Sequence, residues 1–98
     1  MTLVRSYTVS VGTSSTEVIP AIESRKIVDL YIRNTSTAGQ VISLGVGTEA
    51  VASSGIVMNA GDVVTFSRSD KYEVPLTRYT AVSSAASGSV SVYLRLEG

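Results

Sequence analysis

The last ten residues, SVSVYLRLEG, set Val90, Val92, Leu94 and Leu96 at every second position, with Ser91, Tyr93 and Arg95 between them. A strict period of two is the signature of a strand, whose successive side chains point to opposite faces; on a helix these residues would scatter around the cylinder. The pattern recurs. RKIVDLYIRN places Val28, Leu30 and Ile32 on one face and Asp29, Tyr31 and Arg33 on the other. LVRSYTVSV sets Leu3, Tyr7, Val9 and Val11 against Val4, Ser6, Thr8 and Ser10, and QVISLGVG sets Ile42, Leu44 and Val46 against Val41, Ser43, Gly45 and Gly47. DVVTFSR and TRYTAVS alternate less cleanly, but their Val, Thr, Phe and Tyr content suits a pleated surface. Between these runs lie GTSST, NTSTAG, GTEAVASSG, NAGD, SRSDKYEVP and SAASG, all built from residues that turns use.

Strands at this spacing, with no capped helical stretch among them, predict an all-β chain: an antiparallel β-sandwich or jelly roll of seven to eight strands. At most one helical turn is expected, within Glu49–Ser54. With 98 residues the chain is one domain, 1–98, with room for one modest core. Pro20 and Pro75 fall at run ends, where a missing N–H costs no ladder bond.

Composition narrows the function. There is no Cys and no His, so disulfides, thiolate metal sites and the usual neutral-pH proton shuttle are all absent. Eight basic and eight acidic residues cancel without clustering, which argues against nucleic acid as a partner. No apolar run approaches the ~20 residues of a membrane-spanning helix, and MTLVRSYTVS lacks the apolar stretch of a secretory signal. The start of the chain therefore reads as mature protein made in a reducing cytosol, and no membrane association is expected.

No motif carries a reaction. LGVG at Leu44–Gly47 lacks the spacing of a phosphate loop and reads as a place where side chains must be small. NAGD reads as a tight turn with Gly61 at positive φ rather than a metal loop. The acids, Glu17, Glu23, Asp29, Glu49, Asp62, Asp70, Glu73 and Glu97, are spread out and read as solvated charge. NTS at Asn34–Ser36 matches a glycosylation sequon and reads as a polar turn. No enzyme, cofactor or metal is expected. Tyr31, Tyr72, Tyr79 and Tyr93 remain as residues able to stack on sugars or anchor a protein contact; Tyr31 and Tyr93 lie opposite the core residues of their strands, which favours protein contact.

Taken together, RKIVDLYIRNTS, the strand ending on SLGVG, GIVMNAGD, and TAVSSAASGSVSVYL resemble the small all-β decoration, or cement, proteins of tailed-bacteriophage heads; the resemblance spans Ser24–Gly98. It implies a non-catalytic structural protein on the capsid surface of a virion, binding major capsid protein subunits, often as a homotrimer, and made in the host cytoplasm. It also implies an extended N-terminal arm over residues 1–7 that reaches a neighbour. The interface residues expected are Leu3, Val4, Arg5, Tyr7, Tyr31, Arg33 and Tyr93. The competing expectation is a carbohydrate-binding or adhesin-like sandwich on a phage head or fibre.

Overall fold

The computed structural model describes residues 2–20, 27–69, 71, 74–75 and 77–97. Within them run eight strands: β1 (Thr2–Val11), β2 (Thr16–Ile19), β3 (Ile27–Asn34), β4 (Ile42–Val46), β5 (Ile56–Met58), β6 (Val63–Ser67), β7 (Tyr79–Ser83) and β8 (Gly88–Glu97). No described residue is helical. The expected helical turn is a single reverse turn, Val51–Ser54, closed by the Ser54 N–H on the Val51 carbonyl at 3.1 Å.

The strands pair β1 with β8, β2 with β7, β3 with β6 and β4 with β5, all antiparallel. That is the ladder of one long hairpin with its tip at the β4–β5 connection. Folding the hairpin over itself adds the β3–β8 and β4–β7 pairings and divides it into a front sheet, β1-β8-β3-β6, and a back sheet, β2-β7-β4-β5. The result is a jelly roll. β8 has a strand on each side, so its register is pinned twice, and a one-residue slip would throw Val90, Val92, Leu94 and Leu96 to solvent. This is why β8 carries the cleanest alternation in the sequence.

One core fills the space between the sheets. The front sheet contributes Val11, Ile27, Leu30, Ile32, Val90, Val92, Leu94 and Leu96; the back sheet contributes Val18, Ile42, Leu44, Met58, Tyr79 and Ala81. Each large side chain among these adds about 1.5–3 kcal/mol of burial. Val28 does not take the place expected of it. The β3–β8 register shifts between Ile27 and Asp29, an extra residue in the ladder that turns Ile27 inward and leaves Val28 only half-buried. Tyr79, expected among the surface aromatics, is fully buried, its hydroxyl donating to the Pro75 carbonyl at 3.0 Å. Tyr72 lies outside the described residues.

The two sheets differ on their outer faces. The loop from Gly47 to Gly55 folds over the back of the back sheet. Thr80 Oγ1 donates to the Thr48 carbonyl at 2.7 Å, and the Ser53 N–H donates to Ser43 Oγ at 3.0 Å. Ser43, Thr80 and Val82, which alternation would place in water, are consequently buried. Glu49, itself in water, tethers the loop to Arg78 at 2.7 Å, and hydrogen bonds from Ser15 and Arg78 hold its carboxyl below the usual range.

Gly45 is where this loop comes closest. A Cβ there would sit 2.7 Å from both the Thr48 carbonyl and Thr80 Oγ1, so the smallness read into LGVG is a demand of the covering loop. Gly45→Ala is expected to push the loop off the sheet at a cost of about 1–3 kcal/mol, measured as a lower urea midpoint with unchanged slope.

Candidate functional site

The outer face of the front sheet has no such cover among the described residues. Register places its side chains on a grid. One row across the sheet is Ser6, Tyr93, Tyr31 and Thr65; the row on one side is Val4, Arg95, Asp29 and Ser67, and the row on the other is Thr8, Ser91, Arg33 and Val63. Tyr93 and Tyr31 are therefore direct cross-strand partners at the centre, a pairing of the kind that stabilises a sheet. Val4 is 56% exposed, Val63 42%, Tyr93 39% and Tyr31 37%. Four large apolar groups on one face are enough to form a contact patch rather than scattered exposure.

The charges on this face are organised too. Arg95 and Asp29, neighbours in the first flanking row, form an ion pair, and Arg68 pairs with Glu97 at the end of β8. Arg33 makes no ion pair among the described residues. A shallow depression of about 390 Å3 on this face is bordered by Ser6, Tyr31, Ser91 and Tyr93, over the buried Val92.

A second feature lies where the edges of β1 and β2 face each other. Here a groove of about 790 Å3 is lined by Arg5, Tyr7, Glu17, Ile19, Leu94 and Leu96, among others. The Tyr7 hydroxyl crosses it to donate to the Val18 carbonyl at 2.6 Å, joining the two sheets, and the Arg5 guanidinium carbon lies 5.9 Å from the centre of the Tyr7 ring. Burial holds the Tyr7 phenol above its ordinary range, and the nearby Arg5 charge pulls the other way.

The unfolded chain thus loses this proton first. Stability is complete below about pH 10 and falls as pH rises toward the folded value. Tyr7→Phe is expected to cost about 1 kcal/mol at neutral pH and to remove this part of the alkaline fall. Chemical denaturation at neutral pH and at pH values above about 10 reads both.

The seven expected interface residues therefore divide. Val4, Tyr31, Arg33 and Tyr93 share the outer front face. Arg5 and Tyr7 line the groove on the opposite side of β1, where Tyr7 ties the sheets together. Leu3 is in backbone register with Leu96; its side chain lies outside the described residues. Residues 2–7 of the expected arm run as the first half of β1, paired with β8, because the apolar alternation that organises the rest of the strand begins here.

Sequence reasoning missed Val63 and the Arg95–Asp29 pair. Both depend on which strands are neighbours, and no local signal carries that.

The other sequence features resolve as turns. Asn59–Asp62 is closed by the Asp62 N–H on the Asn59 carbonyl at 2.9 Å, with Gly61 at φ 87°. Asn34 of the sequon is fully buried, with its amide nitrogen donating to the Gln40 and Met58 carbonyls. Among the described residues, no three acidic side chains gather into a cluster able to hold a metal ion.

No protein-family model matches the chain, and no curated protein is significantly similar to it.

Proposed function

We propose that this chain is a non-catalytic structural protein that works by covering other protein surfaces, and that its place is the outside of a phage head, where it binds major capsid protein subunits and stabilises the shell. The observation that carries the reading is the contrast between the two outer faces. The chain's own loop covers the back sheet over Ser43 and Thr80 and leaves Val51 and Val57 exposed at separate places, whereas the front sheet presents Val4, Tyr31, Tyr93 and Val63 together on one strand-built surface. Three further points support it. The jelly roll is an architecture common in capsid proteins, an argument by analogy of fold. The sequence resembles head-decoration proteins. Of the described acids, Asp29, Glu49 and Glu97 are paired with arginines, Asp62 is built into a turn, and Glu17 lines the groove between β1 and β2 away from them.

Purified protein mixed with undecorated heads is expected to co-sediment with them and to add regularly spaced density in electron micrographs. Absence of binding at tens of micromolar would overturn the assignment. A second reading, carbohydrate binding, is favoured by the depression beside the two tyrosines, since ring faces stack on sugars. Glycan-dependent quenching of tyrosine fluorescence, lost in Tyr31→Ala and Tyr93→Ala, would establish it in place of the first.

A further inference from the structure

Resting on the reading of the front face as a protein-contact surface, we infer that the partner covering it is a second copy of this chain, related by a two-fold axis lying in the sheet plane along the Ser6–Tyr93–Tyr31–Thr65 row. The grid itself selects this arrangement. Rotation about that row lays each tyrosine over its own counterpart and exchanges the two flanking rows. Arg33 of one copy then meets Asp29 of the other, twice per dimer, and Thr8 meets Val4. Arg33 is the cation on this face without an ion pair among the described residues, and Asp29 is one-third exposed beside Arg95, with room to accept a second donor. No like charges are opposed: Arg95 falls over Ser91 of the other copy. An isologous contact of this kind needs a self-complementary patch, and this patch is one.

Size agrees. Strands of 10, 10, 8 and 5 residues, at a rise of ~3.3 Å and a spacing of ~4.8 Å, give a face of about 500 Å2. Two such faces bury about 1,000 Å2, the lower bound for a specific interface, so the dimer is weak and depends on concentration. Because the dimer is weak, a subunit of the shell competes with the second copy for this same face, and dilution frees the face for the shell.

The test is the solution mass of the full chain by analytical ultracentrifugation across micromolar to millimolar concentration. The wild type is expected to pass from monomer to dimer. Arg33→Asp sets acid against Asp29 of the other copy and Asp29→Lys sets base against Arg33, so each alone is expected to weaken the dimer by roughly tenfold or more. Mixed in equal amounts, the two variants face each other with opposite charges at both contacts and are expected to recover the dimer as a mixed species. A monomer throughout, a trimer, a dimer indifferent to both substitutions, or a mixture that fails to recover would each overturn the inference. Head binding by a monomeric protein would leave the proposed function standing, and a dimer that ignores heads would leave only the inference.

Discussion

Asn34→Asp is expected to unfold the protein at neutral pH and to leave it folded in mild acid. Asn34 ends β3 and is fully buried. Its amide nitrogen donates to the Gln40 carbonyl at 2.9 Å and the Met58 carbonyl at 3.0 Å, and its Oδ1 accepts the Ser36 N–H at 3.0 Å. Its backbone bonds to Gly61 and Asp62 as well, so one residue clasps the turns at this end of both sheets. Aspartate has the same shape and keeps the bond from Ser36, but turns an oxygen toward two carbonyl oxygens.

A carboxylate there has lost its water and found no donor, a penalty of about 3 kcal/mol or more. That is a large part of the 5–15 kcal/mol that holds a domain together. Burial and the two carbonyls favour the protonated form, so the folded pKa lies above the unfolded one. Stability is then fully present below the unfolded value and is lost as pH rises through the folded value. Asn34→Ala, which has nothing to titrate, is expected to lose about 2–4 kcal/mol without that dependence. Thermal melts followed by circular dichroism at pH 4 and pH 7 separate the two variants. An Asn34→Asp protein as stable as the wild type at pH 7 would refute the clasp.

The second large effect is expected at Tyr79, where substitution by Ala should cost about 3–5 kcal/mol. Tyr79 opens β7, is fully buried, and meets Phe66 of the opposite sheet with ring centres 6.3 Å apart, so it spans the interior of the sandwich. Removing it leaves a cavity that two stiff sheets cannot collapse around. Tyr79→Phe keeps the ring and gives up only the hydroxyl bond to Pro75, an expected loss of about 1 kcal/mol. Urea unfolding of the two variants measures both, and equal losses would show that the hydroxyl rather than the packing carries the effect.

Tyr79 also shows how far the sequence can be read. By alternation alone it is one more tyrosine on a strand, like Tyr31 and Tyr93. β3 and β8 declare their faces through long apolar series, Leu30 and Ile32 or Val90 to Leu96, and this makes Tyr31 and Tyr93 legible as outward. β7 is buried on both faces because a loop covers its back, so YTAVS carries no alternation to read. The same loop hides Ser43 and Thr80 from any rule about polarity.

The short strands escaped for a related reason. β2 has four residues with a register shift inside it, and β5 has three, too few for a period to show. At β3 the bulge at Val28 shifted the apolar face by one residue at its start, and Ile27 took the core position. What the sequence cannot hold is adjacency. Tyr31 and Tyr93 are each visible as outward-facing, but that they stand opposite each other is a property of the rolled hairpin that sets β8 beside β3.

The most direct test of the front face as the working surface is hydroxyl-radical footprinting of the protein bound to heads, against the same protein dilute and free. Tyr31, Tyr93 and Val63 are expected to lose most of their labelling on binding, while Val57 on the back sheet, 46% exposed, keeps its own. Undiminished labelling of both tyrosines, with protection appearing at Val57 instead, would place the contact on the other side of the molecule and contradict the account.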